Sequence, residues 1–155
     1  EVKSASSHER LDLLRIEVDA SSRGIFVETH YPNSRDLSRE ERHGHSEVEY
    51  TLTVPRTALL DGIELVNGDL VIDGVEGGID ADNVSLESVN GTIEVFFSGA
   101  ADVRAETVNG RIQNDFGIEV KKGKYVGSSM NGSVGGGGPS LDMETVNGAI
   151  RLSSN

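Results

Sequence analysis

The sequence predicts an all-β fold, a single-domain β-solenoid or β-helix-like stack of short strands joined by Asn-Gly turns. Three observations predict it. A tripeptide returns five times, as Val66-Asn67-Gly68, Val89-Asn90-Gly91, Val108-Asn109-Gly110, Met130-Asn131-Gly132 and Val146-Asn147-Gly148. Of the 19 glycines, 17 lie in residues 57–155, the same stretch that holds the tripeptides. Apolar residues alternate with polar ones on both sides of each tripeptide, the period of an extended strand with one buried face.

The intervals between the asparagines are 23, 19, 22 and 16 residues. Repeats near this length are supersecondary units that bury their apolar faces by stacking on one another. Three residues after each Asn stand Leu70, Ile93, Ile112, Val134 and Ile150; four before it stand Ile63, Leu86, Ala105, Gly127 and Met143. Six before it, in the last four copies, come Val84, Val103, Tyr125 and Leu141. Glycine and β-branched residues are too frequent here for stable helix.

Asn-Gly tolerates positive φ at both positions and so reverses a chain tightly. Two topologies compete. A two-residue hairpin would place Leu65 opposite Leu70 and Ile63 opposite Ile72. A solenoid would make each Asn-Gly a corner, with equivalent residues in columns about 4.8 Å apart. The solenoid is preferred because the position three after Asn is apolar in all five copies and each unit suits one rung.

Upstream, residues 1–9 are polar and read as a frayed end or an edge strand. Leu11–Val18 and Ile25–Thr29 read as two strands around Ser21-Ser22-Arg23-Gly24. Pro32–Glu47 is crowded with charge and reads as a long exposed loop. Val48–Pro55 alternates cleanly and reads as a half-buried strand. At 155 residues one domain is expected, with residues 1–56 capping the strand-repeat region of residues 57–155.

Composition bounds the chemistry. Fourteen Lys and Arg against 26 Asp and Glu give a formal charge of −12, which disfavours nucleic acid and anionic membranes because both need a basic face. Residues 57–155 carry 6 basic and 15 acidic side chains, so the acidity belongs to the repeats. Aromatic residues make up 5% of the chain and Trp is absent, so the core must be built from small aliphatic side chains. There is no Cys, which excludes disulfides and leaves the redox compartment open. No apolar run is long enough to cross a bilayer, and a chain beginning Glu1-Val2-Lys3 is read as a mature form whose leader has been removed.

The Val-Asn-Gly pattern with a hydrophobe two residues after the Gly, together with residues 130–138 and Met143–Ile150, resembles the bacterial β-strand-repeat family called putative adhesins. The resemblance spans about residues 48–155. It implies an exported or envelope-associated β-helix-like domain, periplasmic, cell-surface or secreted, and carries over no catalytic residue.

The sharpest candidate site is the position three before each Asn, occupied by Glu64, Glu87, Glu106, Ser128 and Glu144. Stacked rungs would align four carboxylates on the outside, repelling one another by about 1 kcal/mol per neighbouring pair in water. Arg104, Arg111, a bound cation or a basic partner would offset that. The alternatives are an acidic docking stripe, a weak Ca²⁺ site, or a solvated face that keeps the chain in solution. Asn67, Gly68, Asn90, Gly91, Asn109, Gly110, Asn131, Gly132, Asn147 and Gly148 are assigned as structural turns.

Other constellations are weaker. Asp80 and Asp82 share one strand face, a spacing a glycan-cleaving enzyme would use, but nothing nearby supplies a base or nucleophile. His43 and His45, with His8 and His30, would make a metal site if the charged loop folded back. Gly135–Gly138 lacks the Gly-Lys-Ser/Thr ending of a phosphate loop and is followed by Pro139, so it reads as close backbone approach between rungs. Lys121, Lys122 and Lys124 read as a turn or as guards of an edge strand against sheet-to-sheet aggregation.

No metal or cofactor is expected. The favoured function is a non-enzymatic exported or cell-envelope binding module presenting an acidic β face to a protein or envelope partner. A carbohydrate-active β-helix enzyme is the alternative, and a structural spacer assembling with further copies is the third.

Overall fold

The computed structural model describes residues 2–5, 14–21, 24–33, 47–53, 60–76 and 83–154. The chain divides into two compact units, Glu1–Thr53 and Val54–Asn155, near the composition shift. All regular structure among the described residues is strand.

In the first unit β1 (Val2–Ala5) pairs antiparallel with β4 (Glu47–Tyr50), and β2 (Arg15–Ser21) pairs antiparallel with β3 (Gly24–His30). Within the polar start of the chain, read as a frayed end or an edge strand, Val2–Ala5 is a strand, and residues 6–9 lie outside the described residues. The hydroxyls of Thr29 and Tyr50 hydrogen-bond, linking β3 to β4. The strand expected over Val48–Pro55 stops at Tyr50, and Leu52 is exposed.

Among the described residues the second unit holds ten strands in two mixed or parallel sheets. Each regular repeat contributes one strand before its Asn-Gly and one after it: β5 (Gly62–Asn67) and β6 (Leu70–Glu76), β7 (Asn83–Asn90) and β8 (Ile93–Ser98), β9 (Ala101–Asn109) and β10 (Ile112–Asn114), then β13 (Ser140–Asn147) and β14 (Ile150–Ser154). Between them lie β11 (Val120–Lys122) and β12 (Ser128–Val134). The six-stranded sheet runs β11-β12-β9-β13-β7-β5 and the four-stranded sheet runs β10-β14-β8-β6.

Leu65 and Leu70 therefore belong to different sheets, and the hairpin topology is excluded. No described non-glycine residue has positive φ, so the asparagines do not adopt the left-handed conformation that such a hairpin would require. Equivalent residues do form columns: Leu70 aligns with Ile93, Ile93 with Ile150, and Ile150 with Ile112.

Two features depart from a stack in chain order. The last repeat is inserted between the second and third in both sheets: β13 pairs in parallel with β7 and β9, and β14 with β8 and β10. The fourth copy does not pair in parallel with the others. β12 runs antiparallel to β9, with Asn131 opposite Arg104 and Gly132 opposite Val103, so Asn131-Gly132 lies inside a strand and the turn assigned to it is corrected. A Cβ at Gly132 would stand 2.7 Å from Ile118 Cγ2, which explains glycine there as room for a side chain. Val134 ends β12 in the six-stranded sheet and does not join the column of Leu70.

The third repeat breaks off at Asn114, whose carboxamide bonds Phe116 N, Ile118 N and Ile118 O and closes a side-chain turn. The chain then returns as β11 and β12. To reach β13 it must pass over the start of β9. Gly135, at φ +62°, crosses so close that an added Cβ would lie 2.5 Å from Gly99 O, and a Cβ at Gly137 would lie 2.8 Å from Asp102 Oδ1. The glycine run is this crossing.

One core is shared by the two sheets, built from Val84, Leu86, Val103, Leu141 and Met143 on one side and Ile93, Val95, Phe97, Ile150 and Leu152 on the other. It is aliphatic, as the composition requires, with Phe97 its largest fully buried side chain, edge-on to Phe116 at 6.1 Å. Phe97→Ala is expected to cost about 3–5 kcal/mol, read from the denaturant midpoint. A cost under about 1 kcal/mol would place the ring outside the shared core.

Candidate binding face

The outer face of the six-stranded sheet carries the candidate residues. Strands alternate, so positions one, three and five before each corner Asn point the same way. The burial of β9, fully alternating from Ala101 to Val108, shows which set is outside.

At three before Asn, Glu64 aligns with Glu87, Glu87 with Glu144, and Glu144 with Glu106. The four sequence-predicted carboxylates are thus one row, in the order 64, 87, 144, 106, and all are exposed. The next position in the row, opposite Glu106, is Ser129 rather than Ser128, because β12 runs backwards.

Of the two arginines considered for the row, Arg104 pairs with one of its carboxylates. Arg104 Nη2 lies 2.9 Å from Glu106 Oε1, and this bond, with the Glu106 charge and then those of Glu144 and Asp142, holds the Arg104 guanidinium above its ordinary pKa. Ser85 Oγ donates to Glu87 Oε1 at 3.1 Å. Arg111 lies beyond the corner, after Asn109-Gly110. Among the described residues no group of three or more His, Asp and Glu converges to hold a metal ion. The row is spread along the sheet at strand spacing, about 4.8 Å per step.

One residue before each corner Asn is a valine that the motif contains but the candidate set omits. Val66, Val89, Val146 and Val108 are between 41% and 67% exposed, an apolar row beside the carboxylates. The signal was in the sequence: a hydrophobe repeated at an outward position of an otherwise polar face.

The corners hold both rows in place. Asn109 Nδ2 donates to Asn147 Oδ1, Asn147 Nδ2 to Asn90 Oδ1, and Asn90 Nδ2 to Asn67 Oδ1, at 2.8 to 2.9 Å. The corner amides continue the ladder, with Gly68 N donating to Asn90 O, Gly91 N to Asn147 O and Gly148 N to Asn109 O. Two residues before Asn90, Asn147 and Asn109 the chain turns a hydroxyl inward, where Leu65 stands before Asn67: Ser88, Thr145 and Thr107 are buried, and donate to the carbonyls of Gly68, Gly91 and Gly148. Asn67-Gly68, Asn90-Gly91, Asn147-Gly148 and Asn109-Gly110 are joined to one another in this way.

Lys121 and Lys122 stand on β11, the edge strand of the sheet, as expected of edge guards. Lys124 Nζ sits 5.4 Å above the ring of Tyr125, which is exposed rather than in the inner column. His30 Nε2 lies 3.4 Å from Glu17 Oε2 in the first unit. Asp80, Asp82, His8, His43 and His45 lie outside the described residues.

The face and the fold together define an all-β chain that displays in-register side-chain rows on a sheet of stacked repeats. No family model matches the chain, and no curated protein matches it. Its fold is similar to the crystal structure of a putative cell adhesion protein from Clostridium sporogenes ATCC 15579, at 12% identity and a TM-score of 0.51 over 99% of this chain and 82% of that one. At that identity the similarity concerns the fold alone. The adhesin resemblance carried by the repeats thus meets a structural neighbour described in similar words, and no family match.

Proposed function

We propose that the chain is a non-enzymatic, exported or cell-envelope binding module whose short β-helix-like stack presents an acidic outer face to a protein or envelope component. The observation that carries the reading is the in-register row of Glu64, Glu87, Glu144 and Glu106 beside a row of exposed valines. Aligned carboxylates repel in the free protein, and a basic partner relieves that repulsion. The adhesion protein with a similar fold supports a surface role. No helix among the described residues is long and apolar enough to cross a membrane.

The test is capture from an envelope extract of the source organism by the immobilised chain, with polysaccharide fractions incubated in parallel. A protein is expected to be retained and then released as salt shortens the screening length from about 10 Å at 0.1 M to about 3 Å at 1 M. Retention indifferent to salt, or shortening of a glycan, contradicts the reading.

A further inference from the structure

The outer faces of β7, β13 and β9 form the floor of an open groove of about 490 Å³, whose lining continues through Gly123, Val126, Gly127, Ser128 and Ser129. The floor is divided lengthwise. Val89, Val146 and Val108 form one row and Glu87, Glu144 and Glu106 the other, and Val126 adds a further apolar surface that is 67% exposed. Exposed valines clustered in a concavity leave apolar area in water at a cost of about 25 cal/mol per Å² that a partner would recover.

From this we infer that the groove takes an extended polypeptide segment of a partner protein, with Lys or Arg on one side and aliphatic side chains on the other. The inference rests on the binding-face reading and specifies its partner. Charge selects the occupant. Among the described residues Glu106 has a direct ion-pair partner, Arg104, whose charge also reaches Glu144, whereas neither Glu87 nor Glu144 is in a direct ion pair, so the groove offers two carboxylates free to pair with a cation next to apolar surface.

Spacing selects an extended chain. The row from Glu87 through Glu144 to Glu106 covers two strand steps, about 9.6 Å, while side chains on one side of an extended segment recur every ~6.7 Å. Two long, flexible basic side chains bridge that difference, and the residue between them points to the valines. A sugar is a poor occupant because valines give no flat aromatic face on which a ring stacks. Gly123 and Gly127, which close the neighbouring loop through Gly123 N to Gly127 O at 2.9 Å, leave backbone rather than bulk along the groove.

The experiment titrates the full chain into a dye-labelled, end-capped heptapeptide of sequence Lys-Val-Lys-Thr-Lys-Val-Lys, read by fluorescence anisotropy. Saturable, salt-sensitive binding is expected. The double substitution Glu87→Gln/Glu144→Gln should weaken it roughly tenfold and Val146→Ser several-fold, as partly exposed contacts of about 1 kcal/mol imply. Glu94→Gln, which removes a carboxylate from the other sheet, should leave it unchanged. All of these positions are outward-facing, and an unaltered thermal transition confirms that each variant is folded.

Equal binding of Lys-Ser-Lys-Thr-Lys-Ser-Lys, or displacement of the peptide by spermine at similar concentration, overturns the inference by removing the apolar row from recognition. So does unchanged binding by the double variant, or displacement of the peptide by self-association of the chain. If the peptide fails to bind while an envelope protein is still retained and released by salt, the groove assignment falls and the acidic face stands. Failure of both overturns both.

Discussion

Gly148→Ala is expected to destabilise the repeat unit by at least ~3 kcal/mol, far beyond the usual cost of glycine to alanine in an exposed turn. The corners stack with their backbones in contact. A Cβ on Gly148 would lie 1.9 Å from Gly91 O, one on Gly91 the same distance from Gly68 O, and one on Gly110 1.7 Å from Gly148 O. Each obstacle is a carbonyl oxygen, and no rotamer change can move it aside. Gly148 and Gly110 do not adopt positive φ, so the cost at these two positions is close approach rather than backbone conformation. Gly68 is the comparison: it ends the row, nothing stands within 4 Å of its Cβ position, and its φ of +143° is the one source of strain. Urea denaturation should rank Gly148→Ala as clearly more damaging than Gly68→Ala. Equal costs would mean that the corners are not stacked.

A chain ending at Pro139 is expected to lose the cooperative transition of the unit Val54–Asn155 entirely. In a stack built in chain order the last repeat is an end, and removing it costs one interface. Here β13 and β14 each pair on both edges, between the second and third repeats. Their loss also strips Leu141, Met143, Ile150 and Leu152, all fully buried, from the one core. What remains would be two separated half-sheets with unpaired backbone at each new edge. Thermal unfolding followed by circular dichroism decides the matter. A shortened chain that still melts cooperatively would show that the C-terminal repeat is peripheral.

The local elements were largely legible in the sequence. Alternation around Asn67, Asn90, Asn109 and Asn147 located the strands, and the repeated offsets located the columns and the carboxylate row. The order of the row was not legible. Any two of these repeats can pair in register with the same contacts, so the side chains do not say which is neighbour to which. Connectivity decides: Asn114 ends the third repeat early, the chain doubles back through β11 and β12, and the glycine crossing delivers β13 to the far side of β9.

The fourth copy misled for a related reason. Asn-Gly marks a corner in four places and an interior strand position in the fifth, where glycine accommodates Ile118. The departures around it were visible, with Met130 in place of valine, Gly127 in place of an apolar residue and Ser128 in place of glutamate. Each of them reflects a strand that does not enter the stack. The valine row was in plain sight within the motif, but its exposure follows from which face of the strand is buried, and that is a tertiary fact.

The order of the carboxylate row is tested most directly by cross-linking, because the chain has no cysteine of its own. Glu87→Cys/Glu144→Cys places two thiols on neighbouring strands about 4.8 Å apart, within the 4.4–6.8 Å that a disulfide spans between Cα atoms. Glu87→Cys/Glu106→Cys places them two strands apart, about 9.6 Å, beyond that reach. Mild oxidation is predicted to close the first pair within the folded monomer and to leave the second as free thiols. Closure of the Glu87/Glu106 pair with the Glu87/Glu144 pair left open would restore a stack in chain order and remove Glu144 and Val146 from the centre of the binding face.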